Sequence, residues 1–469
     1  MSRTLRALIL CAAIVAACAG CDWQMFGYAP DHANFNPTEH AISVANVAGL
    51  VRRYPVRDGN GCGPETCSSP AVANGSVYVG TGRDLVARDA GTGNLQWSGH
   101  SGGFIYSSPA VVDGVVYVGS DDFKLYAFDA SGTTNCSGSP KICAPLWTAN
   151  TAGKVRASPT VANGVVYVGS DDHSLYAFSA AGTTNCSGSP KVCHPLWKST
   201  ILVGEVLTPA VANGVVYVST GLLLAFDATG STNCSGSPKI CTPLWRTALD
   251  YVMVGSPAVA NGVVYVTGVP SGTVSYRLFS FSAAGTTNCF KTPNPVNPNI
   301  LDDVCAPLWF GGIPGAGNTA PAIANGVVYV SVPTFNIFQS DGSLLVAFDA
   351  TAVRNCFFSG SEKWCSPLWT AKLPLGTFQG SWSPAVANGV VYVTDQWYVD
   401  YFYGVAGVHA FDATGISNCS GTPKTCSPLW SDVVADPHDF SEPQVSSAVV
   451  ANGAVYLNAG PIYKYSLPS

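Results

Sequence analysis

Cysteine, histidine and aspartate are the side chains of this 469-residue chain with the most chemical scope, and the cysteines are the most patterned. Asn135 to Trp147 reads NCSGSPKICAPLW and Asn185 to Trp197 reads NCSGSPKVCHPLW. The same C-x6-C-x-P-L-W phrase holds for Cys136 with Cys143, Cys186 with Cys193, Cys234 with Cys241 and Cys419 with Cys426, and Cys289 with Cys305 and Cys356 with Cys365 are longer versions. A c-type haem needs two residues between its cysteines and a following histidine; His194 follows Cys193, but six residues separate the pair. A zinc site needs four ligands at one point, whereas these pairs are strung along the chain. Two cysteines flanking a hairpin turn can reach disulfide distance, and closing an eight-residue loop is worth about 2.5 kcal/mol on the chain-entropy account. The expectation is six structural staples. Cys62 and Cys67, in GCGPETC, form a tighter seventh pair, expected as a structural disulfide with a redox or binding role as the alternative.

Other reactive side chains are less organised. The seven histidines (His32, His40, His100, His173, His194, His409 and His438) show no ligand spacing, so no metal site is expected. No G-x-S-x-G, H-E-x-x-H or P-loop occurs, and no residue is assigned as catalytic. The paired aspartates Asp121-Asp122 and Asp171-Asp172 admit calcium but suit a turn. A net charge of −6 without acidic or basic runs argues against a nucleic-acid partner.

The first residues bear on location. Two arginines in MSRTLR precede an apolar run from Ala7 to Ala17 and then small residues, the layout of a secretory signal over residues 1–20. The run is too short to span a bilayer, so a membrane is reached only through a lipid. IVAACAGCDW resembles the lipobox of bacterial lipoproteins, with Cys18 or Cys21 as the lipidated residue. The 14 cysteines from Cys62 onward close as seven bridges, so parity favours Cys21. The reading is an exported protein on the periplasmic or extracellular side of the envelope, where disulfides persist.

The elements that hold these residues are repeats. SPAVANGSVYVG from Ser69 recurs in eight variants, the last from Ser447, at spacings of about 39 to 64 residues. Asn-Gly or Asp-Gly between β-branched runs signals a hairpin with a type I′ turn. A third strand such as Lys124 to Phe128 follows, then a fourth at Pro-Leu-Trp. At 47% hydrophobic the chain can bury a large core, and four antiparallel strands repeated about an axis predict an all-β, eight-bladed β-propeller over residues 22–469, a single domain and a monomer. Trp97, Trp147, Trp197, Trp245, Trp309, Trp369 and Trp430 mark only seven fourth strands. Leu50 to Val56 is therefore expected to pair with Ile462 to Leu467 and complete the last blade, leaving no open edge where the ends meet.

ARDAGTGNLQW, with Ala87, Asp89, Thr92, Gly93 and Trp97, resembles the tryptophan-docking repeat of the quinoprotein (PQQ-type) propellers, and DWQMFGYAPDHANFNP from Asp22 is similar to a segment that opens many of them. The resemblance implies that the seven tryptophans pack between neighbouring blades. The superfamily holds both PQQ-dependent alcohol dehydrogenases and non-catalytic lipoproteins that scaffold outer-membrane assembly. A dehydrogenase of this kind implies PQQ under a disulfide of adjacent cysteines, a calcium held by Glu, Asn and Asp, and a catalytic Asp; this chain has no Cys-Cys dipeptide. The expectation is a scaffold without a cofactor, whose partner is an envelope protein or polymer. The alternatives are an atypical quinoprotein oxidoreductase with PQQ and calcium, and a glycan-binding propeller. Binding is expected on the face of the loops between second and third strands, through Trp397, Tyr398, Tyr401, Phe402 and Tyr403, with Trp382 and Phe378 from the preceding connection and Phe335 and Phe338 one repeat earlier. The alternative is that these aromatics pack under one another to hold long loops down.

Overall fold

The computed structural model describes residues 21–56, 67–200, 202, 204–293, 301–315, 317, 319–333, 343–373, 382–398, 404–434 and 445–468. These residues are all-β apart from one 3-10 turn, Val47–Gly49. They form eight separate sheets, numbered 1 to 8 in the order of their repeats. Sheet 2 is representative: Ala110–Val112, Val115–Ser120, Lys124–Asp129 and Trp147–Asn150 pair antiparallel in that order. The inner hairpin turns as its dipeptide requires, with φ of 50° at Asn163 and 76° at Gly164 in sheet 3.

Sheets 1 to 6 each gain two further strands that the repeat pattern does not foretell. The cystine hairpin lies between the third and fourth strands of its own repeat, but it adds to the outer edge of the preceding sheet. Ile142–Cys143 runs parallel to Leu95–His100 of sheet 1, and Thr425–Cys426 runs parallel to Trp369–Lys372 of sheet 6. The hairpin is thus a cross-link between neighbours as well as an ornament of its own repeat.

Tryptophan makes the second cross-link. Trp97 Nε1 donates to the Ala130 carbonyl in the next sheet at 3.0 Å, and Tyr78 Oη donates to the same oxygen at 3.0 Å. Trp147 with Tyr117, Trp197 with Tyr167, and Trp245 with Tyr217 repeat this at Ala180, Ala228 and Ala283. The ring lies so close to the neighbour's turn that a Cβ on Gly132 would stand 2.2 Å from Trp97 Cδ1, at a backbone φ of 63°. Only glycine meets both demands at no cost.

Innermost strands of successive sheets lie side by side from sheet 1 to sheet 8. In sheet 8, Val51–Val56 from the start of the chain pairs antiparallel with Ile462–Ser466 and forms the outer strand, as expected. Trp430 of sheet 7 donates to Leu50 in place of the usual alanine. Sheet 8 in turn packs on sheet 1: Asn458 Nδ2 donates to Ser68 O at 3.2 Å, and Lys464 Nζ donates to Ala90 O at 2.7 Å.

Candidate functional site

Three places hold side chains with chemical scope: the axis, the face of the inner turns, and sheet 7. The axis is crossed by the segment from Trp23 to Asn36, which touches the innermost strand of every sheet. Its carbonyls accept from Val72 (Trp23), Val111 (Gln24), Val211 (Pro30), Val259 (Asp31), Ile323 (Ala33) and Val386 (Asn34) at 2.6 to 2.8 Å. Asn36 Nδ2 donates to Val450 O of sheet 8 at 2.8 Å. In sheet 3, Thr160 Oγ1 donates to Pro209 O at 2.5 Å, so it accepts from His32 Nε2 at 2.9 Å, which fixes the histidine tautomer. His32 is fully buried, and burial lowers its pKa to about 3, so the ring is neutral. Innermost strands leave N–H groups facing this segment, and its carbonyls accept from six of them.

Beside that segment, on the face of the Asn-Gly turns, lies an open cavity of about 530 Å³ bounded by Gln24, Pro30, Asp31, Asn163, Asn213 and Asn261. Burial raises the pKa of Asp31, against the opposing pull of the Ala33 N–H. The turns on this face are short, and the cavity comes from the axial segment seated between them.

Sheet 7 differs from its neighbours. Its second and third strands, Val390–Tyr398 and Gly404–Asp412, pair from Val390↔Asp412 out to Tyr398↔Gly404. Residues 395–398 and 404–407 are therefore ladder, where the sequence suggested a loop. Buried in it, His409 Nε2 contacts Asp395 Oδ1 and His409 Nδ1 contacts Ser431 Oγ, each at 2.9 Å. This relay joins the second, third and outer strands. Asp395 and His409 side chains are 0% and 1% exposed, whereas Ser431 lies at the surface. No motif announces it, since the three residues are adjacent only across strands. The register of the repeats is the signal: His409 stands where sheets 2 and 3 have Tyr126 and Tyr176.

Of the expected binding aromatics, Trp382 is half-buried and packs on the core shared by sheets 7, 8 and 1, and its backbone N–H donates to Thr394 O at 3.4 Å. Trp397 and Tyr398 belong to the strand by backbone, and their side chains fall outside the described residues, as do Phe335, Phe338, Phe378, Tyr401, Phe402 and Tyr403. The six staples are formed: Cys136–Cys143, Cys186–Cys193, Cys234–Cys241, Cys289–Cys305, Cys356–Cys365 and Cys419–Cys426. Cys67 is disulfide-bonded, and Cys62 lies outside the described residues. Cys21 is buried with its Sγ on Thr38 O at 2.9 Å, while Cys18 lies outside. Asp121 takes Arg156 in two 3.0 Å bonds, and Asp122 and Asp172 accept from Tyr126 and Tyr176, so the paired aspartates act in turns and ion pairs.

A calcium-bound quinone cofactor needs free acids and a flat slot. Both Glu39 oxygens accept backbone N–H groups, of Ala41 and Gly453, and Asn34 and Asn36 are bonded to main chain. Among the described residues no three His, Cys, Asp or Glu side chains are grouped to hold a metal ion, and the nearest disulfide partners are seven residues apart. Glu39, Asn34 and Asn36 are thus committed to the chain's own backbone rather than presented to a calcium-bound quinone.

Comparison with known proteins agrees on architecture. A family model for the outer membrane protein assembly factor BamB matches residues 48–135. BamB from Moraxella catarrhalis is similar over 89% of this chain and 97% of its own, at 14% identity and a TM-score of 0.54. The quinohemoprotein alcohol dehydrogenase ADHIIG from Pseudomonas putida HK5 is similar over 97% of this chain and 82% of its own, at 13% identity and a TM-score of 0.62. A computationally designed protein, Ika8, is similar over 87% of this chain and 99% of its own, at 11% identity and a TM-score of 0.54. Among curated proteins there is no match. The chain has a PQQ-type β-propeller fold; at these identities the likeness concerns fold, which does not fix function.

Proposed function

We propose that the eight sheets are the blades of one closed propeller, and that it works as an exported, lipid-anchored scaffold binding an envelope protein without catalysis. The observation that carries this reading is the axial segment. Main chain and amides satisfy one another where a cofactor-using relative would need a slot and free ligands, which leaves blade edges and loops as the working surface. Six formed cystines fit an oxidising compartment. Burial of Cys21 favours Cys18 as the lipidated residue, against parity, because a diacylglyceryl thioether needs an accessible sulfur.

Two measurements test the reading. Titration with PQQ and calcium is expected to give no stoichiometric complex and no alcohol-dependent dye reduction; either would overturn it in favour of the quinoprotein alternative. Crosslinking in the native envelope is expected to recover discrete protein partners, and intact mass of the membrane-extracted protein places the lipid.

A further inference from the structure

The cystine hairpins cover the outer edges of sheets 1 to 6, and the origin of each cover explains why it stops there. The cover of one sheet comes from the link between third and outer strands in the next repeat. The outer strand of sheet 8 comes from Val51–Val56 and not from a link within repeat 8, so among the described residues no cystine hairpin covers sheet 7. Repeat 1 has only the tight turn from Asp89 to Asn94, so among the described residues no hairpin covers sheet 8 either.

These two bare edges are not alike. The outer strand of sheet 8, Val51–Val56, carries Arg52, Arg53 and Pro55, and charge with a missing N–H is how natural sheets blunt an edge. The outer strand of sheet 7, Trp430–Val434, has no proline and no basic residue. Its Val433 is 44% exposed. Thr370 of sheet 6 holds the place of Ser431, and its N–H donates to Lys424 O of the covering strand at 3.0 Å. The N–H groups of Ser431 and Val433 therefore face outward, and among the described residues no strand pairs with them. Val433 O also points out, accepting from Arg52 Nη2 at 2.7 Å.

One position tells what fits. In the six covered sheets the second cysteine stands opposite Gly99, Ala149, Ser199, Thr247, Gly311 or Ala371, all small. In sheet 7 the place belongs to Asp432, half-exposed, with both Arg52 contacts on Oδ2 at 2.6 and 3.1 Å. Its Oδ1 takes neither of these Arg52 contacts, and the Tyr465 hydroxyl also lies against the carboxylate. A cystine strand no longer suits this edge, and a strand with a basic side chain opposite Asp432 does.

We infer that the outer strand of sheet 7 is a docking edge that takes an extended segment of a partner protein by parallel β-addition, with a lysine or arginine of that segment opposite Asp432. The inference rests on the scaffold reading and specifies its surface. Main-chain bonds supply affinity and the charge supplies register.

The probe is a synthetic peptide of residues 420–429 carrying Cys426→Lys, which copies the covering strand of sheet 6 and places lysine opposite Asp432. Added to the full chain, it is expected to bind saturably and to slow hydrogen exchange at the Ser431 and Val433 amides at least tenfold. Val433→Pro removes an outward N–H without touching the inner ladder; it should keep the melting temperature and abolish the protection. Asp432→Lys should weaken the peptide at least tenfold. Exchange unchanged at saturating peptide, or equal binding by Val433→Pro, overturns the inference. Protection that rises with protein concentration alone means that a second copy takes the edge, and also overturns it. Crosslinked partners retained by Val433→Pro would leave the scaffold reading standing while the edge falls; PQQ-dependent turnover would sink the scaffold reading without altering the peptide result.

Discussion

Sheets 2 and 7 come from the same repeat and spend the same positions differently. In sheet 2 Tyr126 stacks on Phe128 with ring centroids 6.0 Å apart, Ser120 ends the second strand, and Thr148 N donates to Lys191 O of a cystine cover. In sheet 7 those places hold His409, Asp395 and the uncovered Ser431. An array of repeats needs only the contacts that recur: the Asn-Gly or Asp-Gly turn, the docking tryptophan with its glycine, and the small residues under each cystine. Departure from the consensus is free to serve something else, and sheet 7 departs in both its interior and its edge.

The largest expected effect tests what the two sheets share, which is a place in the ring. Deleting residues 22–56 removes the outer strand of sheet 8 and the segment that bonds all eight inner strands, exposing edges on sheet 8 and unpaired N–H groups along the axis. The protein should aggregate or elute as an unfolded species in size exclusion. A soluble monomer with the parent circular dichroism would mean that the ring does not depend on its join.

Next is the interior difference itself. His409→Tyr copies sheet 2 on one side only and leaves the Asp395 carboxylate buried without its partner, at a cost of about 3–5 kcal/mol in denaturant unfolding. Adding Asp395→Ser completes the copy of Ser120 and Tyr126 and should regain most of that loss. A double variant as unstable as the single would show that sheet 7 cannot be turned into sheet 2 by these two positions.

The repeats made much of the fold legible. Asn-Gly or Asp-Gly between β-branched runs located the inner hairpins, seven tryptophans against eight hairpins exposed the missing outer strand, and the C-x6-C spacing with its two longer versions paired the cysteines. Spacing is local, and so were these successes. The cystine hairpin's attachment to the preceding sheet is a contact between repeats, set by how far the Asn135–Pro145 link must reach to bring Trp147 into place. The Trp23–Asn36 segment has no periodicity, because it meets eight different strands through different groups. The Asp395–His409–Ser431 relay spans 36 residues and becomes visible only when the repeats are aligned by strand register. The binding aromatics expected in sheet 7 lie outside the described residues, while the buried acid and base of the same sheet carry no sequence motif.

A cystine cover should be worth less than the buried pair. Cys186→Ala with Cys193→Ala opens one eight-residue loop, for about 2.5 kcal/mol, and leaves the hairpin to hold sheet 2 by its ladder alone. Peptide mapping without reductant should find Cys186 joined to Cys193 in the parent. In the variant, hydrogen exchange at Thr148 should rise toward that of Ser431, so that a covered edge comes to behave like the bare one.

The smallest effect concerns the axial segment and depends on pH. His32 is neutral in the fold because burial lowers its pKa from 6.5 to about 3. The unfolded chain takes up this proton below pH 6.5 and the folded chain does not, so stability is full above pH 6.5 and falls as the pH drops toward 3. At about 1.4 kcal/mol per unit, acidification from 6.5 to about pH 5 should cost about 2 kcal/mol. Asp227 acts lower: burial opposes its charge, but the Thr232 and Thr229 amides hold its pKa near 2, so its contribution is lost only between about pH 4 and 2. Thermal melts from pH 7 to 4.5 should therefore show the His32 slope, opposed in part by Asp31 and Asp171, whose carboxyls burial pushes up and whose contribution favours the fold as the pH falls. His32→Gln keeps a donor for Thr160 and has nothing to titrate; it should flatten that slope while the Val433→Pro edge variant keeps it. An unchanged slope in His32→Gln would mean that the axial segment opens to water before the ring unfolds, and that its bonds to the eight inner strands are weaker than those between the sheets.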